Sequence, residues 1–144
     1  MAERGGVHHL EIWVRDLAES VPAWGWLLGE LGYLPFQEWP RGRSWRLGDT
    51  YVVVESGPDV APGAHERRRP GLNHVAFDGG TPAQVDALVA ACTAHGWTPM
   101  FADRYPHAGG PDHHAAYLED AAGFEVEIVA AVRQPGTGPG DQPT

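Results

Sequence analysis

The clearest signal along the chain is a set of short stretches in which apolar and polar residues alternate, separated by two longer stretches of helical period. In "HLEIWV", from His9, alternation puts Leu10, Ile12 and Val14 on one side and His9, Glu11 and Trp13 on the other. A second stretch, "HVAF" from His74, divides Val75 and Phe77 from His74, Ala76 and Asp78. Later strands divide likewise, with Val52 and Val54 against Tyr51 and Glu55, and Phe124, Val126 and Ile128 against Glu125 and Glu127. Between them, Asp16 with Glu19 three residues on predicts a helix start, and Val21, Trp24, Leu27, Leu28 and Leu31 follow at helical spacing up to Gly32. Thr81, Pro82 and Gln84 form a capping box with proline at the first helical position, opening a second helix with Val85, Leu88, Val89 and Cys92 up to Gly96.

The order of elements repeats. "GYLPF" at 32–36 answers "GWTPMF" at 96–101, and "LGDTYVVVE" at 47–55 answers "LEDAAGFEVE" at 118–127. The chain therefore reads as two βαβββ modules, 6–62 and 70–131, within one domain spanning 6–131. The intervening "GPDVAPGAHERRRPG" is read as a linker, and 132–144 as a disordered tail. With 144 residues, 42% of them hydrophobic, one core is affordable and two of ordinary size are not.

A net charge of −9 argues against nucleic acid or an anionic membrane as partner and leaves small molecules. No run is long enough to span a bilayer and "MAERGG" lacks the apolar segment of a signal peptide, so a cytoplasmic location is expected. All ten basic residues are arginine, which excludes a Schiff-base lysine. Cys92, the single cysteine, reads as a buried small hydrophobe.

Titratable groups on the inner face of a sheet are costly unless water, partners or a metal satisfies them. The repeat supplies His9 and Glu55 from one half and His74 and Glu127 from the other, and a pseudo-twofold axis would bring all four together. Two imidazoles and two carboxylates suit a divalent ion such as Zn, Ni, Co, Mn or Fe(II), with positions left open for substrate. His8 is expected to point away from His9. Without Glu55, the set His9, His74 and Glu127 keeps the two-histidine, one-carboxylate pattern of non-haem Fe(II) oxygenases.

Paired modules with these residues, and the segments "HHLEIWVRDL", "GLNHVAF" and "YLEDAAGFEVEIV", resemble the vicinal oxygen chelate superfamily of glyoxalase I, methylmalonyl-CoA epimerase, extradiol dioxygenases and bleomycin-resistance proteins. The resemblance runs to about residue 131. It implies an α+β fold whose eight strands form a cup-shaped mixed sheet, a metal held in the cup, binding of a small substrate through neighbouring oxygens, and often a homodimer. "AWGWLLGELGY" departs from the Phe-Tyr pair that glyoxalases carry in the first helix.

The segment "RYPHAGGPDHHAAYLED" has glycines suited to a flap over the cup. His113 or His114 is expected to line the pocket as a proton shuttle, with Tyr117 as a phenol donor, the alternative being a solvated loop. Arg67, Arg68 and Arg69 are read as solvating the linker rather than steering an anion. Of the tryptophans, Trp13 has the parity to stack on a substrate, whereas Trp24, Trp26, Trp39, Trp45 and Trp97 belong to the core or a dimer face. The leading functional expectation is a metal-dependent lyase, isomerase or epimerase acting through an enediolate-like intermediate, with Glu127 or Glu55 as general base. A ring-cleaving Fe(II) dioxygenase and a metal-free drug- or metabolite-binding protein are the alternatives.

Overall fold

The computed structural model describes residues 2–131, so the tail expected at 132–144 lies outside the described residues. The elements in chain order are β1 (His9–Trp13), α1 (Leu17–Glu30), β2 (Leu34–Trp39), β3 (Gly42–Leu47), β4 (Thr50–Glu55), β5 (His74–Asp78), α2 (Pro82–Cys92), β6 (Trp97–Met100), β7 (Ala115–Asp120) and β8 (Glu125–Val129). Each half is a βαβββ module, and the eight strands divide into two four-stranded mixed sheets ordered β1-β4-β3-β2 and β5-β8-β7-β6. Within each sheet the first and last strands of the module run parallel and the other pairs antiparallel.

Local chemistry accounts for the helix ends. The Asp16 side chain accepts from the amides of Ala18 and Glu19, capping α1. Glu19 does not return the bond to the cap and instead pairs with Arg15 at 3.2 Å. At α2 the reciprocal box of Thr81 and Gln84 is complete. The helix tightens into a 3-10 turn over Thr93–His95 before Gly96 reverses the chain at φ +86°.

The two halves share one core. Trp24, Leu27 and Leu28 of α1 are buried together with Trp97, Leu118, Val126 and Ile128 of the second half. Each such side chain contributes roughly 1.5–3 kcal/mol on leaving water. The Trp24 and Trp97 rings meet edge to face at 5.2 Å. The Trp24 indole donates to Asp120 at 3.0 Å, and the Trp97 indole donates to the Ala23 carbonyl at 2.9 Å. The helix-facing side of each sheet is therefore closed, and the opposite sides, carrying His9 and His74, are the faces free for function.

The segment read as a linker is docked rather than loose. The His65 amide donates to the Ala122 carbonyl at 2.8 Å, and the His65 ring stacks on Phe124 with centroids 4.4 Å apart. Gly123 makes this approach possible, since a Cβ there would lie 2.5 Å from the His65 carbonyl oxygen.

Candidate functional site

The free face of the second sheet gathers a compact polar cluster around Glu127. In the parallel ladder His74 lies opposite Glu125, and Ala76 opposite Glu127, so His74 and both glutamates share one face. Tyr117 is the cross-strand partner of Glu127 on β7. The His74 Nε2 lies 3.0 Å from Glu127 Oε2, His113 Nε2 lies 2.6 Å from Oε1, and the Tyr117 hydroxyl donates to Oε1 at 3.1 Å. Burial pushes the Glu127 carboxyl up, but the hydrogen bonds from His113, Tyr117 and His74 and the charge of His113 outweigh it and hold it below its ordinary value. Tyr117 is shifted up, by burial first and then by its bond to Glu127.

His113 arrives by way of a folded loop. Amide-to-carbonyl bonds from His107 to Arg104, Gly110 to His107 and His113 to Gly110 wind residues 104–113 over the sheet. Gly109 lets this loop settle, because a Cβ there would come within 2.6 Å of the His113 ring and 2.7 Å of the Tyr117 hydroxyl. The adjacent histidines part, although both precede β7. His113 faces Glu127, and His114 turns to the helix side, 3.1 Å from Asp86. Asp86 also accepts from Tyr105. A cleft of about 490 Å³ on that side is lined by His107, Asp112, His114 and Thr81, and neither Glu127 nor His74 reaches it.

His74 is bracketed by acceptors. The Asn73 amide nitrogen is committed to the Arg67 carbonyl at 3.0 Å, so its oxygen faces His74 Nδ1, 2.7 Å away. Asn73 and Glu127 thus hold the imidazole from both ends and fix its orientation on the sheet face.

The first half lacks this assembly. His9 stacks on Tyr51 with centroids 4.8 Å apart, and its Nδ1 is 2.8 Å from that of His8. The two histidines meet, instead of pointing apart, because His8 precedes β1 and strand alternation does not yet apply. Glu55 pairs with Trp13 and His9 with Tyr51, so His9 and Glu55 sit four residues apart along the ladder, about 13 Å. Counted from its histidine, the position matching Glu127 is Val53, and Glu55 matches Val129. Both strands end near a glutamate, but the ladders offset the two by one inward-facing position. The structure therefore brings together His74, Glu127, His113 and Tyr117, and does not bring His9 or Glu55 to one another as ligands.

Among the described residues no group of three or more His, Cys, Asp or Glu side chains is arranged to hold a metal ion. Both oxygens of Glu127 already serve N–H and O–H partners, so the donors present do not fit the expected four-residue shell. What the first sheet offers is aromatic. Phe36 lies against Tyr51 at 5.5 Å with the Arg46 guanidinium 5.2 Å above it, and Trp13 is 48% exposed.

Several residues of the site were not singled out by sequence reasoning. Asn73, which orients His74, could have been suspected only from its adjacency. Glu125 has the right parity but no echo in the first half. Phe101 holds a left-handed backbone at φ +54° with its ring 5.6 Å from Tyr117, a conformation that sequence pattern does not announce.

Residues 8–117 match the family model of the Glyoxalase/Bleomycin resistance protein/Dioxygenase superfamily. The uncharacterised protein YqjT of Bacillus subtilis (strain 168) is 42% identical over 126 residues, covering 86% of this chain and 98% of that one. A crystal structure of a Bacillus halodurans protein proposed to be a glyoxalase superposes with a TM-score of 0.84 at 43% identity, over 89% of this chain and 97% of that one. A glyoxalase/bleomycin resistance protein from Albidiferax ferrireducens T118 superposes at 0.69 with 25% identity, over 86% and 97% of the two chains.

Proposed function

The chain belongs to the Glyoxalase/Bleomycin resistance protein/Dioxygenase superfamily, and from that premise we propose that it is a glyoxalase-like enzyme that moves a proton on a small carbonyl substrate at the free face of the second sheet. The observation that carries this reading is the convergence of His74, His113 and Tyr117 on the single carboxylate of Glu127. Glu127 takes the proton from the carbon beside the carbonyl. With three donors upon it the carboxylate is a weak base. A substrate whose neighbouring oxygens draw His113 or Tyr117 to themselves releases it, coupling binding to base strength. The same N–H and O–H groups then stabilise the developing enediolate oxyanion. Isomerase and epimerase outcomes differ in where the proton is returned, and a lyase outcome follows when a group β to the enediolate carbon leaves with its bonding electrons.

This chemistry is tested by incubating small α-hydroxy carbonyl compounds with the protein in D2O and following loss of the C–H signal by NMR. Exchange that Glu127→Gln abolishes is expected. Undiminished exchange in that variant overturns the assignment of the base.

Divalent metals are often used in this superfamily. An ion here would have to draw Glu127 from its present partners and take His74, and donors beyond the described clusters, as ligands. Elemental analysis of chelator-free protein against His74→Ala separates the cases: stoichiometric metal lost in the variant argues for metal-dependent chemistry. Iron together with oxygen uptake on a catechol argues for a dioxygenase. A second reading, ligand binding without turnover, is favoured by the His9, Tyr51, Phe36 and Trp13 aromatic face, which suits a planar metabolite or drug. Tight binding by protein that catalyses no exchange would support it. None of the described helices is long and apolar enough to cross a membrane. A cytoplasmic location, a small-molecule substrate and a homodimer covering the free faces complete the proposal.

A further inference from the structure

We propose that Arg67 binds an anionic group of the substrate beside Glu127, so that the substrates of this site are small carboxylates or phosphates. This rests on the assignment of the Glu127 cluster as the reacting centre. Arg67, Arg68 and Arg69 read alike in sequence, yet the structure separates them. Arg68 pairs with Glu66 on the surface, both well exposed. Arg67 instead turns toward the functional face, its Nη1 3.4 Å from the Oε2 of Glu125, with its own side chain 28% exposed and that of Glu125 3% exposed.

Two features distinguish this pair from an ordinary ion pair. First, Glu125 Oε2 is buried without a hydrogen bond, so the contact with Arg67 is electrostatic and leaves the guanidinium fork unspent on it. A buried carboxylate held so loosely contributes little to stability; its effect is to hold a cation in place. Second, the Arg67 backbone is fixed to the site. Its carbonyl accepts from Asn73, whose oxygen faces His74, and the docked turn at His65 anchors the segment two residues before it. Arg67 is thereby tied to the same histidine that contacts Glu127.

Geometry sets the ligand's size. Glu125 and Glu127 are two residues apart on β8, about 7 Å along the strand. An anionic oxygen at Arg67 and an acidic C–H at Glu127 are then spanned by a molecule of a few heavy atoms. Charge makes the arginine necessary. With a net charge of −9 and four carboxylates of this parity (Asp78, Glu119, Glu125 and Glu127), an anion gains no help from the protein's overall field and needs a local cation. A planar fork that is partly exposed meets a carboxylate or phosphate through two parallel bonds, which fixes orientation as well as affinity.

The test uses full-length protein labelled with 15N, titrated with glycolate, with inorganic phosphate and with neutral ethylene glycol, following the Asn73, Glu125 and Glu127 amides. Saturable shifts with the anions and none with the glycol are expected. Arg67→Ala should weaken anion binding by about tenfold or more, the loss of a charged hydrogen-bond partner. Arg67→Lys should recover part of it, and Arg68→Ala should leave it unchanged. Because Arg67→Ala strands a buried charge, the paired Arg67→Ala/Glu125→Gln variant is measured as well, and it too should fail to bind. Equal binding by wild type and the paired variant, or equal response to glycolate and ethylene glycol, overturns the proposal. Failure of the base assignment is read separately: Glu127→Gln that still exchanges substrate C–H removes that assignment, while the anion titrations stand on their own.

Discussion

Removing the Asp120 carboxylate should cut the bond that ties α1 to the second half. Asp120 is 7% exposed and Trp24 1%. One carboxylate oxygen accepts the Trp24 indole N–H at 3.0 Å, and the other accepts the amides of Ala122 at 3.0 Å and Phe124 at 2.8 Å. In Asp120→Ala the indole donor is left buried without a partner, a cost of about 1–3 kcal/mol, and two charge-assisted bonds that shape the β7–β8 turn go with it. The turn amides recover part of their loss through water, so the sum is about 3–5 kcal/mol, a large share of the roughly 5–15 kcal/mol that holds a domain together. Burial raises the Asp120 carboxyl above its ordinary value, against the lowering by its three donors. The folded state therefore holds its proton longer. That contribution is full below the unfolded-state value and is lost as pH rises through the folded one. Urea unfolding followed by circular dichroism measures the loss, and a cycle with Trp24→Phe, which leaves a smaller aromatic ring without the N–H, isolates the bond because the packing loss is common to both arms. A loss below about 1 kcal/mol in Asp120→Ala, or no coupling in the cycle, would refute the reasoning.

Other perturbations have equally definite outcomes. Gly109→Ala should push His113 and Tyr117 off Glu127 at a cost of about 1–3 kcal/mol, seen as a displaced His113 imidazole resonance and a lowered urea midpoint. Glu127, held below its ordinary value, contributes stability that is present above the unfolded carboxyl value and lost as pH falls through the folded one; Glu127→Gln should flatten that part of the acid limb in pH-dependent denaturation. Gly123→Ala forces a Cβ at φ +90° against the His65 carbonyl and should cost about 2 kcal/mol, with faster proteolysis within residues 60–72 as the assay of undocking.

Strand parity carried the fold and placed His74, Tyr117 and Glu127 on one face. Alternation in "HLEIWV" and "HVAF" assigned the buried faces of β1 and β5, while His113 and His114, just before β7, are parted by the loop that carries them. What parity cannot give is ladder register, because a shift of two residues keeps every side chain on its face. Aligning Glu55 with Glu127 was such a shift, and only the pairing of β1 with β4 reveals it. The linker was misjudged for a related reason: Gly, Pro and charge describe a segment without regular structure but not whether it packs, and His65 on Phe124 is a long-range contact. Arg67 was hidden in a run of three arginines whose surroundings differ only in three dimensions.

The displacement of Glu55 also bears on how a chain made of two like halves divides its labour. Val53 is 5% exposed where its counterpart is the acid, while His9 still stands where His74 does. The first half presents the imidazole but, at the matching position, an apolar side chain in place of the carboxylate. On the proposed reading the first sheet takes no part in proton transfer, so what its face binds can change without altering the Glu127 cluster. New specificity is therefore best sought by varying Phe36, Arg46 and Tyr51, and left alone around Glu127.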